Sequence, residues 1–145
     1  MSWDVMVFKF AGPPPATADD IDADALLPLG PAAEVRQKIS AALPAVDWSD
    51  PSWGLFDGDG FSIEFNVGSD DAIKDMMLHV RGGGDGAVAS IMSFVTPHGW
   101  SALDCSTGDF LNPAAPSAAG WKQFQTYRDQ VLGGRDHGGA AADEP

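Results

Sequence analysis

The sequence predicts an α+β fold: a mainly antiparallel sheet of four to five strands with about three helices, in the order β-α-β-β-β-α-β-α. Three observations carry this expectation. Phe61, Ile63, Phe65 and Val67 alternate with Ser62, Glu64 and Asn66, the two-residue period of a strand with one buried face. Val35, Ile39, Ala42 and Leu43, and later Val88, Ile91, Met92 and Val95, recur instead at helical spacing. Successive strand-like runs between these helices are separated only by short turns, which favours hairpins over parallel crossovers.

Taken in order, Val5, Val7 and Phe8 to Phe10 form the first strand. It ends at Ala11-Gly-Pro-Pro-Pro15, because proline has no N–H for a ladder. Residues 11–30 read as a long loop holding four prolines and the cluster Asp19, Asp20, Asp22 and Asp24; loops of that length are commonly functional. Gly30-Pro31 starts the first helix and Pro44 stops it. The next segment, Val46-Asp-Trp-Ser-Asp-Pro-Ser-Trp-Gly54, reads as turn. Leu55-Phe56 then pairs with residues 61–67 across Asp57-Gly-Asp-Gly60 as a hairpin.

Gly68 to Asp71 turns the chain into a third arm over 73–80, where Met76, Leu78 and Val80 alternate; residues 72–78 also fit a short helix. The glycine run 82–86 breaks this strand, and Asp85 is placed to cap the following helix, which Pro97 and Gly99 end. Residues 100–105 form a last strand, closed by Ser106-Thr-Gly108. Residues 118–132 read as a final helix with Trp121, Phe124 or Gln125, Arg128 and Val131 along one face. Residues 133–145 have no apolar pattern and read as a disordered Gly/Ala-rich tail, so a single globular domain is expected at 1–132.

Of the 145 residues, 44% are hydrophobic and 20% charged, which suits one domain with a real core. The net charge is −13. There is no cluster of Lys and Arg to neutralise phosphates, so nucleic acid is not the expected ligand, nor is an anionic membrane surface. The charged partners that fit are basic proteins or cations. Thirteen of the 21 acidic residues, but only three of the eight basic ones, lie between 17 and 75, so this segment carries −10 of the total. Oligomeric state is not legible from these features. A single cysteine rules out an internal disulfide and fits a reducing compartment. Asp4 and Lys9 interrupt the N-terminal apolar run, and no stretch reaches the roughly 18 apolar residues of a membrane span. A cytoplasmic location is therefore expected.

Several local patterns invite chemistry. Asp57-Gly-Asp-Gly60 with Glu64 suggests calcium, but the ligand spacing fails and a hairpin turn needs the same residues. His79-Val-Arg-Gly-Gly-Gly-Asp-Gly86 runs from a strand end to a helix start. Backbone N–H groups of Gly82, Gly83 and Gly84, with His79 and Arg81 beside them, form a candidate anion site. It lacks both the Walker spacing and the dinucleotide fingerprint, and glycines serve equally in a tight connection. Cys105 has no nucleophile signature around it, and Asp104 points to the opposite strand face. Three scattered histidines have no zinc spacing. No metal, cofactor or catalytic residue is therefore expected. Trp48 and Trp53, with Asp50 between them, are candidate interface anchors in an acidic segment.

The strings 46–54, His79-Val-Arg-Gly-Gly-Gly-Asp85 and Gly99-Trp-Ser-Ala-Leu-Asp-Cys-Ser-Thr-Gly-Asp-Phe110 resemble small bacterial proteins of uncharacterised function. In size, acidity and α+β pattern the whole chain also resembles immunity proteins that neutralise secreted bacterial toxins. That resemblance implies an acidic face that binds a basic toxin, and it brings no motif residues with it. The expected function is a non-enzymatic, immunity-like binding domain, with Asp19, Asp20, Asp22, Asp24, Trp48, Asp50 and Trp53 as the binding residues. The alternatives are a small enzyme or anion-binding module at the His79–Arg81 junction, and a structural or oligomerising domain.

Overall fold

The computed structural model describes residues 2–82 and 86–111. Its centre is β1, Trp3–Phe10, whose side chains divide between two environments. Trp3, Val5 and Val7 are buried on the face that carries the helices, while Asp4 and Met6 stay half-exposed on the other. Alternation along one strand therefore gives the sheet two unlike faces.

Around β1 lie β2 (Leu26–Leu27), β3 (Asp47–Asp50), β4 (Trp53–Asp57), β5 (Phe61–Asn66), β6 (Met76–Gly82), β7 (Ser101–Asp104) and β8 (Asp109–Phe110). Their order is β3-β4-β5-β6-β1-β7-β8, with β2 added to the end of β1, and every pairing is antiparallel. Two helices, α1 (Ala32–Ala42) and α2 (Gly86–Val95), lie between strands in the chain. The α+β class and the mainly antiparallel sheet are as the sequence predicts. The count differs: eight strands stand where four to five are expected, and the described residues hold two helices. The third expected helix, 118–132, and the tail from 133 lie outside the described residues.

The extra strands have physical reasons. β3 falls in a segment whose Asp, Ser and Pro content reads as turn, yet it pairs with β4 through Asp47↔Leu55 and Asp50↔Trp53. What holds it is Trp48, which lies directly over Gly54: a Cβ there would meet the indole at 2.6 Å. The same ring packs on Phe65 at 6.0 Å, and its Nε1 donates to Ser40 Oγ at 2.9 Å. β2 and β8 are two-residue strands inside stretches rich in turn residues, too short for any periodicity to show. The arm expected from residue 73 begins instead at Met76. Ile73 is held earlier by a bridge to Gly30, with Leu29 N to Ile73 O at 2.6 Å and Ile73 N to Gly30 O at 2.8 Å.

The main core forms between the helices and one sheet face. Val35 and Ile39 of α1 and Ala87, Ile91, Phe94 and Val95 of α2 are fully buried there. They meet Val5, Val7, Ile63, Phe65, Met76, Leu78 and Val80 from the sheet. The α2 stripe expected from Val88, Ile91, Met92 and Val95 is buried as a set, and Phe94 joins it. That helix ends as expected: Gly99 adopts φ +65 and Trp100 N returns to Val95 O at 3.0 Å.

Phe61 explains much of the glycine content. Its ring fills a slot floored by Gly58 and Gly86, where added Cβ atoms would lie 2.2 and 2.9 Å from it. Gly82 passes close by, with a positive φ of 102°. The turn glycines and the first glycine of the 82–86 run thus serve close packing between the β4–β5 hairpin and the start of α2.

Candidate functional site

The second sheet face is covered over only part of its extent. Ala18, Ile21, Ala25 and Leu26, from the loop after β1, pack on Phe8, Phe10 and Leu103. This loop is not wholly irregular: Ala18–Asp20 and Ala23–Ala25 form single 3-10 turns, the second capped by Asp22, which accepts from Asp24 N at 2.9 Å. Ala18, Ile21, Ala25 and Leu26 turn inward, while Asp19, Asp20, Asp22 and Asp24 are exposed.

The rest of this face is open. Register sets its side chains in rows across the strands: Leu55, Glu64, His79 and Asp4 in one, Trp53, Asn66, Met77 and Met6 in the next. At its centre His79 Nδ1 lies 2.8 Å from Asp4 Oδ1, and Ser2 Oγ donates to the same oxygen at 2.5 Å. The indole of Trp53 stacks on the His79 ring at 6.1 Å and 26°. Arg81 donates to Glu64. Leu55 is exposed to 47%, beside the Trp53 indole on the same face. A cleft of about 340 Å³ opens at the end of this face, lined among others by Asn66, Asp70, Lys74, Asp75 and Met77.

Carboxylates surround the open area. Asp47 and Asp50 stand on outermost β3, Asp57 and Asp59 at the β4–β5 turn, and Asp70, Asp71 and Asp75 in the loop between β5 and β6. The Asp19–Asp24 loop closes the remaining side. Of the thirteen acidic residues between 17 and 75, all but Glu64 are exposed, and among the described residues none but Glu64 forms an ion pair. The acidic segment therefore has little internal neutralisation.

The residues singled out from sequence divide as follows. Asp50 and Trp53 face the open side, and the Asp19–Asp24 loop lies across it beyond the intervening strands β5, β6 and β1. Trp48 points the other way, into the helix-side core. His79 and Arg81 sit on the open face, each committed to a carboxylate, so neither offers an anion an unpaired cation. Gly82 is drawn against the β5 start, its Cβ position 2.5 Å from Gly60 O, while Gly83 and Gly84 lie outside the described residues. Sequence reasoning missed Asp4, Leu55, Glu64 and Met77. The alternation of β5 identifies Glu64 as outward-facing, but only the pairing register brings it to Arg81 and brings Asp4 to His79.

A recurrent local device was also hidden in plain sight. In Asp47-Trp-Ser49, Asp50-Pro-Ser52 and Asp104-Cys-Ser106, one aspartate oxygen accepts both the N–H and the hydroxyl of the serine two residues on. The serine hydroxyls, then the serine N–H groups, hold Asp47 and Asp50 below the ordinary aspartate range. Asp104 differs in being buried and in also accepting from Trp3 Nε1 at 3.0 Å.

Cys105 follows β7 beside Asp4, with Cys105 N donating to Asp4 O at 3.1 Å. Loss of solvent around its sulfur, then the charges of Asp4 and Asp104, push the thiol pKa up. Thiolate is accordingly scarce at neutral pH, the opposite of an activated nucleophile. Titrating the thiolate absorbance at 240 nm is expected to give a midpoint above the roughly 8.5 of free cysteine. Asp4→Asn should bring that midpoint down without restoring it fully, because desolvation remains. A midpoint below the free value would show an activated thiol instead.

Comparison with protein-family models, curated proteins and solved structures returns no match for this chain. No helix among the described residues is long and apolar enough to cross a membrane.

Proposed function

We propose that this chain is a non-enzymatic protein-binding domain that receives a basic protein partner, in the manner of an immunity protein blocking a cationic toxin. One observation carries the reading: eleven exposed aspartates from residues 17–75 make no ion pair among the described residues and lie around an open sheet face bearing Trp53 and Leu55. An acidic rim steers a cationic protein and sets its orientation, and a central aromatic supplies contact area at low entropic cost. On the face itself, Arg81 is already matched by Glu64 and His79 is hydrogen-bonded to Asp4, so they do not offset the rim.

A deca-lysine peptide serves as a probe of the rim while the natural partner is sought. Binding by isothermal calorimetry is expected to weaken steeply as salt rises, since the screening length shortens from about 10 Å at 0.1 M to about 3 Å at 1 M. Replacing Asp19, Asp20, Asp22 and Asp24 by asparagine removes four exposed charges, each worth about 0.3–0.4 kcal/mol. The combined loss is about tenfold in affinity. Affinity that ignores both salt and these substitutions would refute the reading.

A further inference from the structure

Asp57-Gly58 and Asp59-Gly60 follow one another in the β4–β5 turn and are the same dipeptide, yet the fold holds them differently. Asp57 closes β4 and pairs with Ser62, and Gly58 N donates to Phe61 O at 2.8 Å. Gly58 is also pinned against the Phe61 ring, which lies 2.2 Å from the place its Cβ would take. Asp59 and Gly60 stand exposed at the tip, outside the ladder. Among the described residues the Asp59 carboxylate has no hydrogen bond or ion pair, and Gly60 N donates to nothing. Asp47, Asp50 and Asp104 differ, because the serine two residues on ties each carboxylate down.

We propose that Asp59-Gly60 is a self-modification site, at which Asp59 converts to isoaspartate while Asp57 is protected by the fold. The glycine that follows carries no Cβ to hinder approach of the carboxyl carbon to the next main-chain nitrogen. Gly60 N bonds to Asp59 Cγ, and its proton and the carboxyl hydroxyl leave as water, closing a five-membered imide. Water then adds at either imide carbonyl. Addition at the main-chain carbonyl breaks the original peptide bond and leaves the chain running through Cγ, with the former main-chain carboxyl as the side group. The water lost is matched by the water gained, and no oxidant or co-reactant is needed. Charge is unchanged, but the main chain between Asp59 and Gly60 is longer by a methylene. Gly60 O already lies 2.5 Å from the Cβ position of Gly82, so this insertion disturbs the Phe61↔Gly82 pairing. At Asp57 the same closure requires Gly58 N to leave Phe61 O and the ladder to open first. Neither step involves a partner, so the conversion proceeds whether or not the acidic rim binds one.

Incubating the folded full chain in heavy-oxygen water at neutral pH, then mapping its peptides by electron-transfer fragmentation, tests this. Isoaspartate carrying heavy oxygen is expected at residue 59 at least about fivefold faster than at residue 57, the factor set by one hydrogen bond that must open. In denaturant the two rates should converge, since the dipeptides are identical. Asp59→Asn should convert faster still through the same imide, expelling ammonia in place of water, whereas Asp57→Asn should stay slow in the folded chain. The purified isoaspartate-59 product should exchange the Phe61 and Gly82 amides faster and leave those of α1 unmoved. Conversion at 57 as fast as at 59 in the folded chain overturns the proposal. Heavy oxygen absent from 59 in the folded chain but present there in denaturant overturns it too, because the turn then holds Gly60 N out of reach. Unchanged exchange at Phe61 and Gly82 in the product overturns the disturbance of the strand pairing.

Discussion

Phe65→Ala is expected to remove about 3–5 kcal/mol of folding stability, the range for deleting a fully buried aromatic ring. Phe65 is completely buried at the middle of β5, with Trp48 at 6.0 Å on one side and Phe94 of α2 at 5.7 Å on the other. Its loss leaves a cavity where three separate elements meet: the sheet, the β3–β4 hairpin and the second helix. Since a domain of this size has about 5–15 kcal/mol in all, much of the margin goes. Urea denaturation followed by tryptophan fluorescence would show the midpoint falling with the slope preserved. A loss under about 1 kcal/mol would mean that Trp48 collapses into the gap and that the packing is looser than these distances imply.

Gly82→Ala is the second large effect, and its cause is backbone rather than cavity. The residue has φ +102, where an L side chain is strained, and the added Cβ would lie 2.5 Å from Gly60 O and 2.8 Å from the Cα of Phe61. Both obstacles are main chain, so no rotamer change relieves them. Strain of this kind costs about 1–3 kcal/mol before the clash is counted. The pairing Phe61↔Gly82 would be pushed apart, and with it the slot that holds the Phe61 ring. Amide exchange should therefore accelerate first at the β4–β5 turn and the end of β6. Gly99→Ala is the matching comparison, since that glycine also has positive φ but nothing within 4 Å of its Cβ position. If the two variants lose the same stability, close approach contributes nothing and conformation alone sets the cost.

Long periodic segments were legible in the sequence because burial imposes the period directly. The β5 alternation and the α2 stripe are examples, each set by packing against a single core. What escaped reading depends on contacts distant in sequence. β3 looks like a turn until Trp48 is seen to fold over Gly54 and Phe65, and neither contact can be inferred from Asp-Trp-Ser-Asp. For the same reason the pairing of Trp48 and Trp53 as twin anchors does not survive inspection of their surroundings: five residues apart, they lie on opposite faces of the sheet. The open face itself was half visible. Outward residues of β5 could be named, but their neighbours Asp4, Met6 and His79 come from strands that only register brings alongside.

The ordering of strands has one more consequence, for self-association. At one end of the sheet stands β3, four residues with a carboxylate at each terminus and a proline directly after. At the other stands β8, only two residues long. Neither presents a run of free peptide groups long or neutral enough to recruit another molecule's strand, so edge-to-edge growth is blocked at both margins. The helices already occupy one broad side. Among the described residues, then, the two margins of this all-antiparallel sheet offer little template for a further strand.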